Sequence, residues 1–115
     1  MPDLPSAALA NFEKMLAAGK DGALLRYSLG NEYLKAGDAP RAIEHLARAV
    51  AQDPQYTGAW KLYGRALSMA ERHEEAVAAY RQGIVVAHAR GDKQAEKEMA
   101  VFARRIERAL ADSGS

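Results

Sequence analysis

The sequence predicts an all-α protein, an α-solenoid of antiparallel helix hairpins with a single extra helix at each end. Three observations predict it. Alanine, the strongest helix former, supplies 25 of the 115 residues, whereas valine and isoleucine together supply 8 and threonine 1, so strand formers are scarce. The chain matches itself at an offset of 34 residues: Gly30 falls on Gly64, Ala36 on Ala70, Arg41 on Glu75, Ala42 on Ala76, Leu46 on Tyr80 and Ala49 on Gly83. Small residues meet small ones and large apolar residues meet large apolar ones, as in stacked helix–turn–helix units. The breaks between the apolar-periodic stretches are short, which makes neighbouring helices antiparallel.

Six helices follow from local signals. Segment 6–18 begins with Ser6 as N-cap after Pro5 and stops at Gly19. Segment 23–36 ends at the turn pair Gly37-Asp38. Segment 39–52 has Pro40 in its first turn, where a missing N–H costs nothing, and stops at Asp53-Pro54. Segment 57–70 opens with Thr57 as its cap, and segment 73–89 follows after only Glu71-Arg72 and ends at Gly91. Segment 92–112 begins with Asp92 as N-cap and frays into Ser113-Gly114-Ser115. Its apolar positions Ala95, Met99, Phe102, Ala103, Ile106 and Leu110 form one stripe, opposite Lys93, Lys97, Glu98, Arg104, Arg105 and Arg108. Such a helix suits the end of an array, covering an apolar face that would otherwise meet water.

Gly30 and Gly64 fall in the middle of helices, where glycine costs about 1 kcal/mol relative to alanine. Close approach of the partner helix is the expected compensation. Ala42 and Ala76 are the matching small residues on that partner, with Tyr33, Leu46, Leu67 and Tyr80 filling the space on either side.

Several function classes are excluded or left without support. The absence of cysteine rules out disulfide scaffolds, thiolate metal sites and cysteine nucleophiles. A formal net charge of +1 lacks the electrostatic footprint of most nucleic-acid and polybasic membrane binders. The Met1-Pro2-Asp3-Leu4-Pro5 start reads unlike a signal peptide, and no apolar run is long enough for a membrane span, so a cytoplasmic location is expected. No nucleophile elbow, phosphate loop, dinucleotide fingerprint or zinc-protease motif occurs. His45, His73 and His88 share no ligand-like spacing and read as residues of solvated helix faces. Neither a catalytic residue, a metal nor a cofactor is expected. The Arg104, Arg105 and Arg108 cluster has Glu107 and Asp112 beside it and no stacking aromatic, so it reads as a solvated face.

The motif residues resemble the tetratricopeptide repeat family. Its signature is Trp-x2-Leu-Gly-x2-Tyr on the first helix, Ala-x3-Phe on the second, and a closing Pro. Repeat 23–56 has Arg26-x2-Leu29-Gly30-x2-Tyr33, then Ala42-x3-Leu46 and Pro54. Repeat 57–90 has Trp60-x2-Tyr63-Gly64-x2-Leu67, then Ala76-x3-Tyr80, with His88 in place of proline. Ala8-x3-Phe12 continues the pattern backwards by 34 residues, so segment 6–18 looks like the second helix of a half-repeat. The departures are Arg26 for the aromatic, Glu71-Arg72 for a turn pair, and His88 for proline. The resemblance implies a right-handed solenoid in residues 1–115 and a protein–protein interaction module.

It also implies a concave groove lined by the first helices. The fifth and ninth repeat positions point into that groove, here Tyr27 and Asn31, then Lys61 and Arg65. Some family members hold a peptide's C-terminal carboxylates with Lys and Asn, then Asn, then Lys and Arg on three successive first helices. Asn31, Lys61 and Arg65 match the last three of these. An amide, a point charge and a planar guanidinium fork suit an acidic or C-terminal segment. The candidate contacts are Leu24, Tyr27, Asn31, Leu34, Lys61, Arg65 and Ser68. The rival expectation is a self-associating adaptor, a weak homodimer rather than a monomer. It would use the apolar face of Leu9, Phe12, Met15 and Leu16, which no preceding first helix covers.

Overall fold

Six helices follow one another in a computed structural model that describes residues 6–114: α1 (Ala7–Ala17), α2 (Ala23–Lys35), α3 (Ala39–Gln52), α4 (Thr57–Met69), α5 (His73–Ala89) and α6 (Lys93–Ser113). Among the described residues there is no strand. The readings made on Met1–Pro5 and on Ser115 lie outside the described residues. No helix among the described residues is long and apolar enough to cross a membrane.

Helix starts follow the side-chain chemistry where a capping oxygen is present. Ser6 accepts from the Leu9 N–H at 3.0 Å, Asp38 from Arg41 at 3.1 Å and Asp92 from Ala95 at 3.0 Å. The expectation for Thr57 is corrected: Tyr56 holds the N-cap position of α4 without a side-chain cap, and the buried Thr57 Oγ1 has no hydrogen-bond partner.

Helix ends repeat one turn. At Gly19, Gly37 and Gly91 the backbone enters the left-handed region, with φ of 85°, 77° and 73°. Glu71 takes the same conformation at φ 61°, so the second repeat makes its turn without a glycine. Where Asp53-Pro54 stops α3, the second repeat has no proline, and α5 runs on to Ala89 through His88.

The two glycines do sit at equivalent close approaches. A Cβ on Gly30 would lie 2.4 Å from Leu46 Cγ, and one on Gly64 would lie 2.5 Å from Tyr80 Cε1. A third approach, at Gly83, admits Met99 of α6 and the Trp60 Cβ. Around these contacts the core is continuous from Leu34, Ala42, Ile43 and Leu46 to Ala66, Leu67, Ala76 and Ala79. A second buried cluster joins Tyr80 and Ala87 to Met99 and Ala103 of α6, with Ile106 packed against both clusters. The apolar stripe of α6 thus packs on α5.

His45 is a second correction, because it is buried rather than solvated. Arg26, standing at the aromatic position of the motif, forms a bidentate pair with Asp21 through Nε at 2.8 Å and Nη2 at 2.7 Å. Its Nη1 lies 3.1 Å from His45 Nδ1, and Gln52 donates to the same Asp21 carboxylate at 2.9 Å. The Tyr33 ring stacks on His45 with centroids 5.4 Å apart, and its hydroxyl donates to Glu13 of α1 at 2.6 Å. A polar cluster therefore ties α1, α2 and α3 together where an indole would otherwise fill the space.

Candidate functional site

The groove candidates on α2 fall into different environments. Leu24 is 68% exposed. Tyr27 is half-buried and stacks on Tyr56 with ring centroids 4.8 Å apart. Asn31 is half-buried, and no hydrogen bond engages its side chain among the described residues. Leu34 presents little surface: it is packed into the core with Ala42, Ile43 and Leu46 and is 7% exposed. Its place as a groove contact is corrected on that ground, since the α2–α3 interface takes nearly the whole side chain.

On α4 the basic pair is unequal. Lys61 Nζ donates to Glu98 Oε2 of α6 at 2.8 Å. Arg65, one turn along, is exposed and has no ion pair among the described residues. Ser68 is half-buried at the far end of the same face. Lys61, Arg65 and Ser68 line a depression of about 500 Å³ between α4 and α6. Leu62, Met69, Tyr80 and Phe102 supply its apolar lining, and Glu98 stands beside Lys61. Asn31 and Leu24 lie outside it. The structure therefore gathers the α4 candidates around one depression and leaves the α2 candidates apart from it.

The electrostatics follow from these contacts. The Lys61 hydrogen bond, with help from Gln94, holds the Glu98 carboxyl below the usual carboxylate range. Burial pushes the Tyr80 phenol up to about 12, against the opposing pull of Arg65. Tyr80 is thus a neutral wall and Arg65 a cation with no carboxylate partner among the described residues.

Sequence reasoning missed Glu98, Met69, Tyr80 and Phe102 as parts of this site. The motif assigns residues within a hairpin, and α6 does not carry the motif. Phe102 was legible as apolar and Glu98 as surface charge, but nothing local indicated that both line the depression with Lys61 and Arg65.

The apolar face of α1 is largely occupied. Leu9 is 7% exposed and packs with Leu25 and Leu29, while Phe12 and Leu16 are half-buried against the same cluster. Leu9 is therefore corrected as a self-association contact, because α1 lies down on α2; Met15, 41% exposed, is left outward. A wider depression of about 840 Å³ lies between α1, the end of α2 and the start of α3. Its polar groups already serve one another: Tyr33 bonds Glu13, Lys35 and Ser6 reach Glu32, and Arg41 pairs with Asp38.

Known proteins place this geometry in context. Residues 27–95 match the family model described as tetratricopeptide repeat. A Pseudomonas aeruginosa protein described as TPR repeat-containing is 54% identical over 101 residues, spanning 88% of this chain and 96% of its own. The solution structure of a Bordetella parapertussis protein superposes with a TM-score of 0.79 at 39% identity, covering 92% of each chain. A tetratricopeptide repeat domain protein from Salinibacter ruber, solved by NMR, gives 0.69 at 30% identity, over 76% of this chain and 88% of that one.

Proposed function

The chain belongs to the tetratricopeptide repeat family, whose members are in general non-catalytic interaction modules, and from that premise we propose that it binds a partner's acidic or C-terminal segment along its first helices. One observation carries this reading. Arg65 stands at a groove position, exposed and without an ion pair among the described residues, beside an apolar depression that a partner side chain can enter. An unpaired guanidinium fork beside apolar surface suits a carboxylate preceded or followed by an apolar residue.

Each further candidate has a part. Asn31, with its amide unengaged, offers donors to a backbone carbonyl or a second carboxylate. Leu24 and Tyr27 give the segment apolar contact on α2. Ser68 adds a hydroxyl at the end of the α4 face. Lys61 joins once its present carboxylate partner is displaced.

Calorimetric or NMR titration with short acidic peptides bearing a free C-terminal carboxylate tests the reading. Binding is expected to weaken by about tenfold or more in Arg65→Ala, the loss of one charge-assisted contact. Unchanged affinity in the Lys61→Ala/Arg65→Ala double variant would end it, as would the absence of binding.

A further inference from the structure

The chain sets one of its own carboxylates on the groove lysine. Glu98 is 37 residues from Lys61, on a helix that does not follow the repeat, yet its Oε2 accepts from Lys61 Nζ at 2.8 Å. Both side chains are about one-third exposed, at 37% and 35%. Gln94, one turn earlier on α6, also favours the charged form of the same carboxylate. Arg65 is within the same depression and has no such partner.

We propose that Glu98 is an internal occupant of the groove, taking on Lys61 the place a partner's carboxylate would take. The inference rests on the groove reading above and deepens it. In the free protein the Lys61–Glu98 pair is neutral, so the depression presents one uncompensated cation, Arg65, in place of two. A ligand carboxylate is met first by Arg65. A second acidic group reaches Lys61 only by displacing Glu98, whose like charge repels it until α6's carboxylate swings away. Glu98 thereby sets the charge pattern the groove accepts: it penalises indiscriminate polyanions and favours a segment whose acid lies over Arg65 and whose apolar residue enters between Met69 and Phe102.

The test uses a synthetic hexapeptide with two aspartates and a free C-terminal carboxylate, titrated into the native chain, Glu98→Gln, Lys61→Ala and the double variant. Thermal melts check that all four are folded. Glu98→Gln is expected to bind about three- to fivefold tighter, the scale of one partly exposed ion pair. Lys61→Ala is expected to weaken binding in both backgrounds, in the native one because it bares the like charge of Glu98 and in Glu98→Gln because it removes a free ammonium. Equal affinity of native protein and Glu98→Gln, with both binding, overturns the role of Glu98 and leaves the groove reading standing. No binding by either overturns the groove reading, and this inference with it. A ligand-free measurement stands beside these: the Glu98 carboxyl carbon should titrate below the ordinary glutamate range and return toward it in Lys61→Ala. An unchanged titration midpoint would refute the pairing in solution.

Discussion

Glu71→Gly should stabilise this protein, although it removes a side chain and adds the most flexible residue. Four helices close on the same turn, in which two successive N–H groups bond back to the carbonyls three and five residues earlier. At Gly37 the pair is Gly37 N–H to Leu34 and Asp38 N–H to Tyr33, at 3.0 and 2.9 Å. At Glu71 it is Glu71 to Ser68 and Arg72 to Leu67, again at 3.0 and 2.9 Å, and at Gly91 the equivalent bonds are 3.1 and 2.8 Å. The turn is thus fully formed at Glu71, but with a Cβ at φ 61°. The left-handed conformation costs an L-residue about 1–2 kcal/mol. Glycine removes that cost and returns somewhat under about 1 kcal/mol of it as unfolded-state entropy. The Glu71 carboxylate makes no hydrogen bond or ion pair among the described residues, so nothing else is lost. The net gain is about 0.5–1 kcal/mol, or a melting temperature higher by about 2–5 °C. Urea unfolding followed by circular dichroism measures it, with the slope expected to stay constant. Glu71→Ala, which keeps the Cβ, should gain little. If Glu71→Gly is neutral or destabilising, or if Glu71→Ala gains as much, the backbone explanation is wrong.

Two further outcomes follow from the interior. Gly64→Ala should cost about 2–3 kcal/mol, because the new methyl would fall 2.5 Å from the buried Tyr80 ring; a loss under about 0.5 kcal/mol in urea unfolding would mean the helices can separate freely there. Burial, aided by Arg26 and only partly opposed by Glu13, lowers the His45 pKa from its ordinary 6.5. The folded state then binds fewer protons than the unfolded one, so this contribution is complete above about pH 6.5 and declines as pH falls through the lowered value. Urea midpoints measured down from neutral pH should show that slope, and His45→Gln should remove it; an NMR titration of His45 at or above 6.5 would contradict the prediction.

How far the sequence could be read depended on the reach of each contact. Gly30 opposite Leu46 and Gly64 opposite Tyr80 are separated by the same 16 residues, so a period visible in the string reports a contact made twice. The caps of Ser6 and Asp92 were legible because each reaches only three residues. Arg26 shows the opposite case. As a departure from a motif it looked like a defect, and only folding reveals that Asp21, Gln52 and His45 assemble around its guanidinium.

The string alone determined that the chain is helical, where its turns fall and which small residues let helices touch, since these depend on backbone preference and spacing within a hairpin. The tertiary structure alone decided that Lys61 is answered by Glu98 while Arg65 is left open, and that α1 buries Leu9. Those outcomes depend on how α1 and α6 rotate onto their neighbours. That rotation is fixed by packing many side chains at once, and no local spacing encodes it.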